Sequence, residues 1–146
     1  MKHRKWKPPE SYRRDDLQEL IERIKASDAD SIEEAVMFAA KDSVGLWHGR
    51  ARAKICRNLK NRTIPRHLQD VLVQAVCNRL LTGAFSEQFK DQLALAIRFR
   101  PLEMAQYATL ACESKKDYVQ RYGRWVLEKL SMIPPQAENA NQQKEA

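Results

Sequence analysis

The chain has 146 residues, 43% of them hydrophobic, with only 4 Gly and 3 Cys, a make-up that fits one helix-rich domain with no need of disulfide staples. Its longest apolar runs, such as Ala35 to Ala40 and Leu93 to Ile97, fall far short of the roughly 18 residues of a membrane-spanning helix, and the basic stretch Met1 to Lys7 leads into Pro8 and Pro9 rather than an apolar core, so no secretory signal is expected there. The net charge of +7 is unevenly spread: residues 15–42 hold nine carboxylates against three Lys or Arg, whereas Ser43 to Gln69 hold seven Lys or Arg and no carboxylate.

Residues 1–10 are expected to form a loose basic arm, 11–133 a single helical domain and 134–146 a disordered polar tail, since neither end carries apolar periodicity. A first helix is predicted from about Arg14 to Ala26, with Leu17, Leu20, Ile21 and Ile24 on one face and Asp15 and Asp16 in its first turn. A second starts at Ser31, whose pairing with Glu34 reads as a capping box, and ends near Asp42 to Gly45. A third covers about Trp47 to Lys60, with Ala51, Ile55 and Leu59 inward. Pro65 opens a fourth that carries Leu68, Val71, Leu72, Ala75, Val76 and Leu80 and stops at Gly83. A fifth begins at Ser86, Pro101 breaks it and opens a sixth, and a seventh runs from Ser114 to Pro134 and Pro135.

The predicted pairs begin near Ser31, Pro65 and Pro101, a spacing of about 35 residues, which is the length at which helix pairs stack into solenoids. HGRARAKICRNL (His48 to Leu59) and KKDYVQRYGRWVLEKL (Lys115 to Leu130) resemble the second helix of a HEAT-like repeat, where small, basic and aliphatic residues alternate. The resemblance covers residues 31–131, with the aspartate of the pattern matched only by Asp117. The expected fold is all-α: six or seven helices in successive antiparallel hairpins with no sheet, either as the short HEAT-like α-solenoid that the resemblance implies or as an orthogonal helical bundle.

On a helical wheel, Lys54 and Arg57 fall within about 40° of Arg50, while Ala51, Ile55 and Leu59 fall about 100° to 180° away. Arg50, Lys54 and Arg57 therefore share an outward stripe, which Lys60 widens and Arg62 and Arg66 carry into the next helix. Cations on successive turns can each meet a phosphate, with affinity from counterion release; the bland alternative is a solvated face balanced across the fold by the acidic second block, notably Glu33 and Glu34 on the preceding helix. Arg52 falls beside the apolar face near Cys56, so it is expected to be buried and to have a carboxylate partner among Glu33, Glu34, Asp70 and Asp91.

A secondary basic and aromatic group comprises Arg98, Phe99 and Arg100 before Pro101, Arg121 and Arg124 on the last helix, and Trp47 and His48 at the start of the basic helix. An aromatic between arginines can stack on a base, yet a core Phe flanked by helix-terminal arginines is the commoner arrangement. Lys2, Arg4, Lys5, Lys7, Arg13 and Arg14 around Trp6 could form a basic arm. Catalysis by Cys56 with His48 is excluded, since eight residues of helix set them about 12 Å apart. The spacing of Cys56, Cys77 and Cys112 matches no metal motif, and no phosphate loop, dinucleotide fingerprint, HExxH or GxSxG occurs.

The sequence is accordingly read as a non-enzymatic, cytoplasmic binding module with no cofactor or metal. It is expected to engage RNA or DNA through Arg50, Lys54, Arg57, Lys60, Arg62 and Arg66. The alternative is an adaptor that docks an acidic protein surface, marked by an exposed apolar patch containing Trp47, Tyr107 or Trp125. An enzyme acting on nucleic acid would need a carboxylate such as Asp70 or Asp117 at the centre of the basic surface.

Overall fold

A computed structural model describes residues 8–42, 47–86 and 88–133. The arm residues 1–7, among them Lys2, Arg4, Lys5, Trp6 and Lys7, the tail 134–146 and the start of the acid-free segment at 43–46 lie outside the described residues. Among the described residues, one 3-10 turn at Pro9–Ser11 is followed by seven α-helices: α1 (Arg14–Lys25), α2 (Ala29–Ala40), α3 (His48–Leu59), α4 (Arg66–Thr82), α5 (Phe89–Phe99), α6 (Pro101–Cys112) and α7 (Asp117–Ser131). No strand occurs among the described residues, so the fold is all-α.

The helices lie in two rows. In one, α1 packs on α3, α3 on α5 and α5 on α7; in the other, α2 packs on α4 and α4 on α6. Contacts of α1 with α2, α2 with α3, α4 with α5 and α6 with α7, and lesser ones of α4 with α7 and α5 with α6, join the rows, the α6–α7 contact being the most extensive among the described residues. One continuous core draws on all seven helices, with Leu20, Ile24, Val36, Ile55, Leu59, Leu72, Val76, Leu93, Met104, Val119 and Val126 among its buried side chains. The inward positions expected of α1 and α3 are buried, as are Leu68, Leu72, Val76 and Leu80 of α4; Val71 is instead exposed and Ala75 half-buried, because the buried face of α4 runs through Val73 and Cys77. This is the packing that a 3.6-residue apolar period dictates once each helix must hide one face.

Several boundaries differ from expectation. Helix α2 begins at Ala29, after Asp28, and Ser31 lies buried within its first turn with its hydroxyl donating to the Asp28 carboxylate at 2.5 Å. Glu34 is no cap. It is buried, accepts the Tyr12 hydroxyl at 2.7 Å and lies 3.6 Å from the Arg23 guanidinium, because a carboxylate on an inward face requires donors. The helix ends at Ala40 rather than between Asp42 and Gly45, where Lys41 turns to extended backbone. Helix α5 starts at Phe89 instead of Ser86, after Gln88 in the left-handed region, and α7 starts at Asp117 instead of Ser114.

Cations from later in the chain close three helix C-termini, where unpaired carbonyls and the negative end of the dipole favour them. Arg62 donates to the carbonyls of Ile24 and Lys25 at the end of α1. Arg52 and Arg79 both donate to the Lys41 carbonyl beyond α2, and Lys116 donates to the Thr82 carbonyl that ends α4.

Candidate polyanion interface

Helix α3 carries the acid-free run, and its phase is the one read from the wheel: Arg50, Lys54 and Arg57 are exposed while Ala51, Arg52, Ile55 and Leu59 are buried. Arg52 sits with its guanidinium 5.7 Å from the Phe38 ring centroid. Burial and the neighbouring Arg79 lower its pKa, and the carboxylate whose field opposes that shift is Asp42, rather than Glu33, Glu34, Asp70 or Asp91. Arg79 holds Asp42 at 2.9 Å and Gln92 at 2.8 Å.

The outward cations do not form one uniform track. Lys54 and Arg57 form, with Lys25, the basic side of a groove of about 810 Å³ between α1 and α3, whose other charged residues are Asp15, Glu19 and Glu22. The α1 part of the acidic block therefore faces the basic helix, while Glu34 of α2 is taken up by Tyr12 and Arg23. Arg57 is further engaged by Asp91 of α5, 3.4 Å from its Nε. Lys60 is exposed just past α3, Arg66 is exposed at the start of α4, and Arg62 is half-buried against the end of α1.

The picture changes at the Trp47 end. Trp47 precedes α3 in the left-handed region, with φ of 72° and 38% of its surface exposed. The guanidinium groups of Arg14, from α1, and Arg50 lie 4.4 and 4.9 Å from the centre of its ring system. These three residues and Lys54, with Leu17, Gln18, Ile21 and Ala51, line a small concavity of about 120 Å³ that contains no carboxylate. Three cations and an indole thus line one concavity with no acid among its described lining residues, beside the groove that Asp15, Glu19 and Glu22 line.

Compared with models of known families, with curated proteins and with solved structures, the chain matches none.

Of the secondary group, three residues leave the set of candidate contacts. His48 is buried, its Nε2–H donating to the Tyr12 carbonyl at 2.9 Å and its ring edge-on to Phe38. Phe99 belongs to the core. Arg100 is buried against Asp70 at 2.8 Å and Gln69 at 2.7 Å, so its charge is spent inside the fold. Arg98, Arg121 and Arg124 are exposed.

Two groupings of side chains are visible only in the fold, although their members Arg14, Arg121 and Trp125 stand out singly in the sequence and Tyr118 and Tyr122 read there as apolar-face residues of the last helix. Arg14 was grouped with the terminal arm, and only the α1–α3 packing carries it to Trp47. Tyr118, Tyr122 and Trp125 follow one another at i, i+4 and i+7 on α7, a spacing that puts them on one stripe. With Lys90 of α5 and Arg121 they line a concavity of about 350 Å³. The aromatic stripe was the available signal, but it reads equally as a core face until a neighbour is seen beside it.

The reactive side chains point away from catalysis at Cys56. Burial pushes the thiols of Cys56 and Cys77 up to about 12, which keeps them protonated and poor nucleophiles at neutral pH. Among the described residues no three His, Cys, Asp or Glu side chains are grouped to hold a metal ion, and no helix is long and apolar enough to cross a membrane.

Proposed function

We propose that the chain is a non-enzymatic binding module that engages RNA or DNA. The observation that carries this reading is the junction of Arg14, Trp47, Arg50 and Lys54 around a concavity without a carboxylate. Three cations within reach of one another offer a phosphate group charge-assisted hydrogen bonds, and the indole adds a face on which a base or sugar can rest. The acid-lined part of the groove repels a polyanion, which limits contact along α3 to this end and removes Arg62 from the phosphate track. The two-row packing supports reading the helices as a short HEAT-like array. The three free cysteines suit a reducing compartment such as the cytoplasm.

The test is fluorescence anisotropy with labelled 20-nucleotide RNA and DNA at about 50 mM salt. Binding is expected to weaken with salt, with a log–log slope of about −2 to −3 for three phosphate contacts, and to disappear in Arg14→Glu/Arg50→Glu/Lys54→Glu. An absence of binding to either polymer overturns the proposal. Equal affinity for polyglutamate of the same charge replaces nucleic acid with an acidic protein partner.

A further inference from the structure

The concavity between α5 and α7 differs from the Trp47 site in being walled mainly by rings. Tyr118, Tyr122 and Trp125 form its aromatic wall, and Lys90 and Arg121 supply its charge, with no carboxylate among its lining residues. Its volume of about 350 Å³ falls at the lower end of the range for small-ligand sites, ~300–1,000 Å³. The rings are held before any ligand arrives. Tyr122 stands edge-on to Phe85 and Phe89 at 4.5 and 5.5 Å, and Tyr118 edge-on to Phe85 at 5.7 Å. Phe85 and Phe89 stack on each other at 4.7 Å. Such interlocked rings lose little freedom on binding.

The charge around the rings selects the ligand class. The ammonium groups of Lys90 and Lys129 lie 5.4 and 5.5 Å from the centre of the Trp125 ring, so the site already carries positive charge beside its aromatic wall, and like-charge repulsion disfavours a cationic ligand there. A neutral apolar ligand would leave Lys90 and Arg121 unused. An anion that also carries a flat ring satisfies both halves of the site, and the repeating unit of nucleic acid has that form. In a duplex the base faces are hidden in the stack, whereas a single strand offers them.

Resting on the nucleic-acid reading above, we propose that this concavity is a stacking subsite for single-stranded nucleic acid, taking a base against Tyr118 and Trp125 and its phosphate at Lys90 and Arg121.

Binding of the full chain to an oligothymidylate 12-mer is compared with binding to a fully abasic 12-mer of the same charge and to a 12-base-pair duplex. The oligothymidylate is expected to bind about tenfold or more tightly than the abasic strand, the gain that one stacked base provides. Trp125→Leu lowers that margin severalfold, while Lys90→Glu/Arg121→Glu weakens both strands together. Tyr118→Ala, at a side chain 42% exposed, repeats the first result where Trp125→Leu disturbs folding, as monitored by thermal unfolding. Equal binding of the abasic and the thymidylate strands overturns the stacking subsite but leaves the polyanion reading intact. A margin that survives both Trp125→Leu and Tyr118→Ala also overturns it. Failure of all three polymers to bind removes the polyanion reading and this proposal together.

Discussion

Nη2 of Arg62 donates to the carbonyl of Lys25 at 3.1 Å across 37 residues of sequence, so a cation that reads as part of a phosphate track is a cap on α1. Arg62→Ala should therefore cost about 1 to 2 kcal/mol of stability, the range of one or two partly exposed charge-assisted hydrogen bonds, with nucleic-acid affinity changed less than twofold. Urea unfolding and anisotropy on the same variant separate the two effects. A large loss of affinity at unchanged stability returns Arg62 to the interface.

Tyr12 and Glu34 form the second test. The hydroxyl of Tyr12 satisfies a carboxylate that is only 6% exposed. Tyr12→Phe keeps the ring and its tilted contact with Phe38 but removes that donor, which should destabilise the fold by about 1 to 3 kcal/mol. Chemical denaturation measures it, and an unchanged midpoint contradicts the assignment of Glu34 as a core acid.

Close approach of α6 and α7 depends on Gly123. A Cβ there would come within 2.9 Å of the Ala108 carbonyl oxygen and the Ala111 Cβ, so backbone must move to admit a methyl group. Gly123→Ala gains about 1 kcal/mol of helix propensity, yet the overpacking penalty, about 1 to 3 kcal/mol, opposes it. The net expectation is a lower thermal midpoint, against the rise that an ordinary exposed helical glycine would give.

The thiols give a prediction in pH. Cys56 and Cys77 have folded pKa values raised to about 12 by burial, above the unfolded value of about 8.5. Folding thus favours the protonated thiol, and its contribution is present in full below pH ~8.5 and lost as pH rises from there towards 12. Stability measured across that window should fall, and Cys56→Ser/Cys77→Ser, compared with its own stability at pH 7, should fall less. In the native protein at pH 8, a thiol reagent should label Cys112, which is only partly buried, well before Cys56 or Cys77.

Helical phase was legible because it is local. The alternation of Arg50, Lys54 and Arg57 with Ala51, Ile55 and Leu59 is written within one helix, and so was the interior position of Arg52. What Arg52 meets was not legible, since the Lys41 carbonyl and the Phe38 ring reach it only through packing. Glu34 misled for the same reason: three residues after Ser31 it has the spacing of a cap, and the Tyr12 hydroxyl that claims it comes from 22 residues earlier. The cations divide likewise. Arg50, Arg62 and Arg100 look alike in composition, but one lies against an exposed indole, one closes a helix and one is itself buried and paired with the exposed Asp70.

Lys90 and Asp91 are consecutive residues of α5 that serve opposite neighbours, the ammonium over Trp125 of α7 and the carboxylate beside Arg57 of α3. One inserted or deleted residue between Gly83 and Phe89 that shifted the register of α5 would turn it by about 100°, carrying a carboxylate towards the aromatic wall and leaving Arg57 without its counter-charge. Loop length there is thus tied to the sign of charge on two surfaces at once, and length variation among related chains should collect elsewhere, at junctions that no pair of adjacent opposite charges keeps in step.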